Sequence, residues 1–294
     1  MHTITLEDSG AVSRLDVHTF GAGSPRVTFT AGIHGNEFGG IHVALGLMDY
    51  LTEHPPVRGT VTVIPWSNPT ASRCNQRRAP FDGEDMNRIF PGSPEGSLSH
   101  KIADALWQQT ASADCLIDLH CCGQHSAPYL LATYEEHEKA RALAERIAVP
   151  VLIRSEGTEG QLFTEACRRR GQAALIIEIP SGPGAGAIHE AATQLVFDGL
   201  LGLLRGLDML PGTPASAPPL KCGPLQDADA PAPGFWQPMP GLTNGQRLEA
   251  GQCIGHVDSQ PVLMPEAGMV MAVRPPAFLF RDDLWAVVYA VPAE

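Results

Sequence analysis

The chain has 294 residues, 44% hydrophobic and 18% charged, with a formal net charge of −12. That length buries a substantial core, as one large domain or a large domain plus a small one, and the composition excludes a disordered chain. No lysine- or arginine-rich stripe supplies the footprint of a nucleic-acid binder, so that partner is excluded, and an acidic surface requires local arginines wherever an anionic substrate is received.

The first residues, MHTITLEDSG, lack the basic start and apolar run of a signal peptide. No run of about 18 apolar residues offers a membrane span. Seven cysteines form an odd set without framework-like spacing, which reads as reduced thiols. A cytoplasmic location without a membrane partner is the expectation.

In chain order, residues 26–31 (RVTFTA) and 60–65 (TVTVIP) are β-branched runs that predict buried strands. Between them, Ile41, Leu45, Leu47, Met48 and Leu51 recur at near-helical spacing and predict a helix over 38–53. Residues 66–96 show little periodicity, and a loop of that length inside a domain is usually functional. A second helix is expected over 97–110, opened by Ser97, and CLIDLH (115–120) is a strand ending in polar residues. Residues 135–147 read as a helix with acids early and arginines late, as the helix dipole favours. ALIIEIP (174–180) is a buried strand stopped by Pro180, and 188–207 is a long amphipathic helix. From 211 to 240 nine prolines mark a linker, and beyond it short apolar runs separated by glycine and proline turns predict a small all-β domain.

The expected organisation is therefore a catalytic α/β domain over 1–210, a proline-rich linker over 211–240 and a small β domain over 241–294. Alternating strands and helices imply a sheet covered by helices, whose ligands bind beyond the strands' carboxyl ends.

Three such ends carry chemistry. His34 and Glu37 lie in GIHGNE directly after one strand, His120 closes a second, and Glu178 interrupts the apolar third. Two side chains three apart on a turn can reach one ion, and catalytic zinc takes three His or carboxylate ligands with a fourth position open. Glu178, in an apolar strand, must be paired, protonated or metal-linked, and suits proton transfer. In the loop, Asp85-Met-Asn87-Arg88 places a carboxylate, an amide and a guanidinium together, and the last two can grip a carboxylate.

GIHGNE, DMNRIFPG, DLH and the buried-strand glutamate, in this order, resemble the succinylglutamate desuccinylase/aspartoacylase family of zinc carboxypeptidase-like hydrolases. The resemblance covers roughly residues 26–205. It implies an eight-stranded mixed sheet flanked by helices, one Zn2+ per chain, and hydrolysis of the amide of a small N-acyl amino acid by a zinc-activated water. Carried over by motif, His34, Glu37 and His120 match the zinc ligands, and Glu178 the catalytic glutamate. Asn87 and Arg88 match the clamp on the substrate carboxylate, and Asp85 an aspartate orienting the first zinc histidine. For the arginine that polarises the scissile carbonyl, spacing favours Arg77, with Arg78 beside it. Ile179-Pro180 after the glutamate departs from the Gly or Val often found there, and Arg168 is a candidate specificity residue or a helix-surface arginine. The C-terminal segment is similar to the small β domain that crowds the active-site entrance in such enzymes.

Other readings compete. Cys121 or Cys122 could act as a nucleophile, which needs a lowered thiol pKa and a placed base. A metallocarboxypeptidase acting on small peptides or cell-wall fragments shares the chemistry, and a non-enzymatic binding protein on the same fold would be expected to lack a ligand or the proton carrier. Ligand type favours zinc over cobalt or manganese. The acyl group, the amino acid and the oligomeric state are left open, a homo-oligomer being compatible with the sequence.

Overall fold

A computed structural model describes residues 1–182, 186–214 and 217–293, which fall into two compact units. The first comprises residues 1–122 and 128–219, the second 123–127 and 220–294. The chain combines a large mixed sheet flanked by helices with a smaller β sheet.

In the first unit the strands are β1 (His2–Asp8), β2 (Ala11–Ala22), β3 (Arg26–Ala31), β4 (Gly59–Ile64), β5 (Cys115–Cys122), β6 (Tyr129–Ala132), β7 (Val151–Arg154) and β8 (Ala173–Pro180). Their order is β1-β2-β4-β3-β5-β8-β6-β7. The central pairs β4–β3, β3–β5 and β5–β8 are parallel, whereas β1–β2, β2–β4 and β6–β8 are antiparallel. Parallel strands buried on both faces read as continuous apolar runs, which is why RVTFTA and ALIIEIP were legible. The helices are α1 (Phe38–Glu53), α2 (Pro69–Arg73), α3 (Leu98–Thr110), α4 (Glu138–Ala144), α5 (Leu162–Arg170) and α6 (Glu190–Gly206), with a 3-10 turn at Met86–Arg88. α1 and α6 pack together and over the central strands, burying Ile41, Leu47, Leu51, Val196 and Leu200.

The second unit holds β9 (Leu220–Asp229), β10 (Gly234–Pro238), β11 (Arg247–Leu248), β12 (Cys253–Val257), β13 (Gln260–Leu263), β14 (Gly268–Val273), β15 (Ala277–Leu279) and β16 (Trp285–Pro292). They run in the orders β9-β16-β14-β11 and β13-β12-β10-β15 around a separate core that includes Trp236 and Tyr289. Residues 123–127 join it by pairing along β14, Ala127 N–H donating to Met271 O and Val273 N–H to His125 O.

The expected linker differs from what is seen. Residues 211–240 contain β9 and β10, so the second unit begins at Leu220, well before 241; residues 215–216 and 294 lie outside the described part. The prolines fall where a ladder can spare an N–H. Pro224 lies at the register shift between β9 and β16, Pro231 and Pro233 fall between β9 and β10, and Pro238 ends β10. Among the described residues no helix is long and apolar enough to cross a membrane.

Candidate metal centre

Because β3, β5 and β8 are neighbours and parallel, their carboxyl ends open on the same side, where the side chains at those ends converge. After β3 the chain makes a tight turn in which Glu37 N–H donates to His34 O at 3.2 Å. The turn presses on α2: a Cβ on Gly35 would lie 2.1 Å from the Ala71 carbonyl carbon, so no other residue fits. His34 and Glu37 are thereby directed to one side, and both are buried.

His34 Nδ1 lies 2.7 Å from Glu37 Oε1, His120 Nδ1 lies 2.9 Å from Glu37 Oε2, and the two Nδ1 atoms are 3.2 Å apart. The opposite ring nitrogens face carboxylates: His34 Nε2 is 3.0 Å from Asp85 Oδ1, and His120 Nε2 is 2.8 Å from Asp118 Oδ2. When each Nε2–H is donated outward, both Nδ1 lone pairs and the Glu37 carboxylate face one another, an arrangement suited to a cation. Two imidazoles plus a carboxylate are the donor set of a catalytic zinc site. Among the described residues His34, Glu37 and His120 are thus a candidate cluster for a single Zn2+, their ligand atoms all within 4.8 Å.

The charges reflect this crowding. Burial pushes the Glu37 carboxyl up, but His120 and then His34 outweigh it and hold it well below the usual range. Burial lowers His120, yet Asp118 and Glu37 carry it well above the ordinary histidine value. Asp85 is likewise depressed: burial raises it, and its bond to His34, with Arg77 and Arg88 nearby, prevails.

Glu178 stands opposite His120 in the β5–β8 register, and Tyr129 opposite Glu178 in the β6–β8 register. Paired residues share a face, so the three side chains form a row across the sheet. Burial is the largest influence on Glu178; with Glu37 and Asp118 adding to it and the two histidines opposing, its carboxyl sits at about 7.

The long loop delivers the remaining candidates. Arg77 Nη2 is 3.1 Å from Asp85 Oδ2 and its Nη1 3.5 Å from Glu37 Oε1, so Arg77 borders the cluster. Arg78 instead donates to Gly83 O at 3.3 Å. Asn87 is buried, its Oδ1 accepting from Leu162 N–H at 3.0 Å, and Arg88 Nη1 donates to Asn87 O at 2.7 Å. Arg168 is occupied elsewhere, donating to Glu156 O and Gly157 O. Cys121 donates its backbone N–H to Glu37 Oε2 at 2.9 Å, and burial together with Glu37 pushes its thiol up to about 12, the opposite of what a nucleophile needs.

Two members of the centre were not singled out from sequence. Asp118 is fully buried and holds His120, and Thr30 on β3 donates its hydroxyl to Asp118 Oδ1 at 2.7 Å. The signal for Asp118 was present in DLH, since strand alternation puts residues 118 and 120 on one face. Thr30 had no signal, because its contact depends on the β3–β5 pairing.

Comparison with known proteins places the chain in a family and gives the fold its relatives. The succinylglutamate desuccinylase/aspartoacylase catalytic domain matches residues 23–204. An N-alpha-acetyl-L-2,4-diaminobutyric acid deacetylase of Halomonas elongata is 30% identical over 201 residues, covering 65% of this chain. The match spans 58% of that relative's length. An aspartoacylase family protein from Mesorhizobium loti superposes with a TM-score of 0.81 at 22% identity, over 99% of this chain and 93% of that one. A succinylglutamate desuccinylase/aspartoacylase from Rhodobacter sphaeroides gives 0.78 at 24% identity, over 97% and 92% of the two chains. The product-bound ectoine utilization protein of Ruegeria pomeroyi gives 0.78 at 22%, over 99% and 94%. At these identities the structural likenesses speak to the fold.

Proposed function

The chain belongs to the succinylglutamate desuccinylase/aspartoacylase family, and from that premise we propose that it is a zinc-dependent deacylase of small N-acyl amino acids. The observation that carries the reading is the convergence of two imidazole Nδ1 atoms and one carboxylate beside a glutamate poised near neutrality.

His34, Glu37 and His120 would hold the ion, which as a Lewis acid polarises a carbonyl and makes water more acidic. Glu178 accepts a proton from the water that adds to the amide carbon, and returns it to the nitrogen as the C–N bond breaks. Burial raises that carboxyl above the usual carboxylate range, which favours its holding the proton between the two transfers. Arg77, at the border of the cluster, donates to the carbonyl oxygen as it gains charge. Arg88 and the Asn87 amide hold the substrate carboxylate, which fixes the scissile bond over the metal. Asp85 and Asp118 orient the two histidines. The products are a carboxylic acid and a free amino acid.

The relative from Halomonas elongata makes N-acetyl-L-2,4-diaminobutyrate the first substrate to try. A panel of N-acetyl, N-succinyl and N-formyl amino acids, set beside dipeptides and assayed with zinc-loaded protein, tests the reading. Turnover of N-acyl amino acids supports it; turnover of dipeptides alone assigns the chain to carboxypeptidase chemistry instead.

A further inference from the structure

The loop before α5 and the Asn87–Arg88 pair are locked together by contacts that the proposed chemistry leaves unused. Gly160 has φ +77°, and a Cβ there would lie 2.1 Å from the Arg88 carbonyl oxygen and 2.9 Å from its Cα. Gly160 O accepts from Phe90 N–H at 3.1 Å. Two residues on, Leu162 N–H donates to Asn87 Oδ1 at 3.0 Å. That bond decides which way the amide faces: with the oxygen committed to Leu162, the Asn87 NH2 is turned away from α5.

This bracket is itself anchored by a buried charge. Glu165 is 3% exposed, its Oε1 accepting from Gly160 N–H at 3.0 Å while its Oε2 pairs with Arg169. Burying a carboxylate is costly unless it is paired and hydrogen-bonded, and here one oxygen holds the turn that carries Gly160 while the other is paired with Arg169 within α5. The same turn is closed by Gln161 Oε1, which accepts from Thr158 N–H and from Thr164 Oγ1.

We propose that Glu165, acting through Gly160 and the first turn of α5, is a positioning residue that presets Asn87 and Arg88 to receive a planar carboxylate. Selectivity for acidic over neutral substrates is thereby set by a segment that need not touch the substrate. The inference rests on the reading of Asn87 and Arg88 as a carboxylate clamp. A rigid pair of donors loses little freedom when the ligand arrives, and a shift of about 1 Å is enough to forfeit bidentate geometry.

The test compares N-acetyl-L-2,4-diaminobutyrate with its neutral carboxamide in the zinc-loaded protein, as kcat and KM separately. Gly160→Ala should raise KM for the acid at least tenfold, with kcat within about threefold and little change for the carboxamide. Glu165→Ala should do the same more weakly, and Glu165→Gln, which keeps an acceptor for Gly160 N–H, should recover most of the loss. Zinc content and thermal midpoint are measured for each, so that a misfolded Gly160→Ala protein is recognised and the Glu165 pair then decides. An unchanged acid-to-carboxamide preference in folded variants overturns the proposal. Arg88→Ala separates the two layers: if it leaves the preference intact, or if the wild type shows none, the clamp reading itself fails. If Arg88→Ala removes the preference while the Gly160 and Glu165 variants keep it, only the positioning role fails.

Discussion

His120 and Glu178 stand directly across from each other in the parallel β5–β8 ladder, so an imidazole of the candidate metal cluster and a carboxyl at about 7 share one face of the sheet. The ladder fixes their spacing more firmly than a loop could, and a proton carrier beside a metal needs that constancy.

Glu178→Ala should therefore lower turnover by about 10²–10⁴-fold while zinc binding stays near one ion per chain. Metal analysis alongside steady-state kinetics separates the two roles. Retained turnover would remove Glu178 from proton transfer, and lost zinc would make it part of the metal site.

His120 predicts a proton count. In metal-free protein its pKa is raised: burial opposes the charge, but Asp118 and Glu37 prevail. A raised folded-state value means that the protonated ring adds stability below the unfolded value of about 6.5, and that this is lost as pH climbs through the raised value. Zinc must displace that proton, so binding near pH 7 should release about one proton per ion, and apparent affinity should rise roughly tenfold per pH unit below the raised value. Calorimetric titration of chelated protein in two buffers of different ionisation heat reads the count directly; no release would contradict the charge pattern.

Asp118 accepts from His120 and from Thr30, so its loss frees the imidazole to rotate. Asp118→Ala should weaken zinc binding by about 10–100-fold, and Asp118→Asn, which keeps an acceptor, by less. Competition against a chromogenic chelator measures both. Equal affinity in all three proteins would show that the second nitrogen of His120 needs no partner.

How much of this was legible depends on where each interaction's partner lies. His34, Glu37, His120 and Glu178 could be read because each lies in, or in the turn just after, a strand whose apolar run is local in sequence. Arg77 could not be separated from Arg78 by spacing; only the fold shows one guanidinium turned to Asp85 and Glu37 and the other to Gly83. β1 and β2 went unread because their partly exposed alternation is weak, and α5 because it is only nine residues long and its last three are arginines. The proline-rich stretch misled for a different reason: proline density marks places where a ladder bond is missing, and β9 and β10 arrange their breaks around those places.

Cys121 supplies a test against thiol chemistry. Its thiol, at about 12 through burial and the Glu37 charge, stays protonated at neutral pH. Iodoacetamide should modify the exposed Cys74 with turnover intact, whereas a chelator should abolish turnover and added zinc restore it. Alkylation that inactivates a chelator-insensitive protein would reverse the assignment.

Asp82 ties the long loop to α3, whose N-cap residue Ser97 makes no capping bond of its own. Asp82 Oδ2 accepts from Ser97 Oγ at 2.7 Å and Ser99 N–H at 3.1 Å, while Oδ1 accepts from Ser99 Oγ at 2.9 Å and Glu84 N–H at 3.2 Å. The carboxylate thus supplies the cap from outside the helix. Burial raises its pKa, but the bonds from Ser97, Glu84 and Ser99 outweigh burial and lower it. A lowered folded-state value places the stabilisation above the unfolded value of about 3.9, and removes it as pH falls through the lowered one. Asp82→Ala should cost about 1–2 kcal/mol at pH 7, and the gap between variant and wild type should narrow as pH falls toward 3. Urea unfolding at several pH values measures the gap, and a gap independent of pH would mean that packing, not the charged cap, holds the loop to α3.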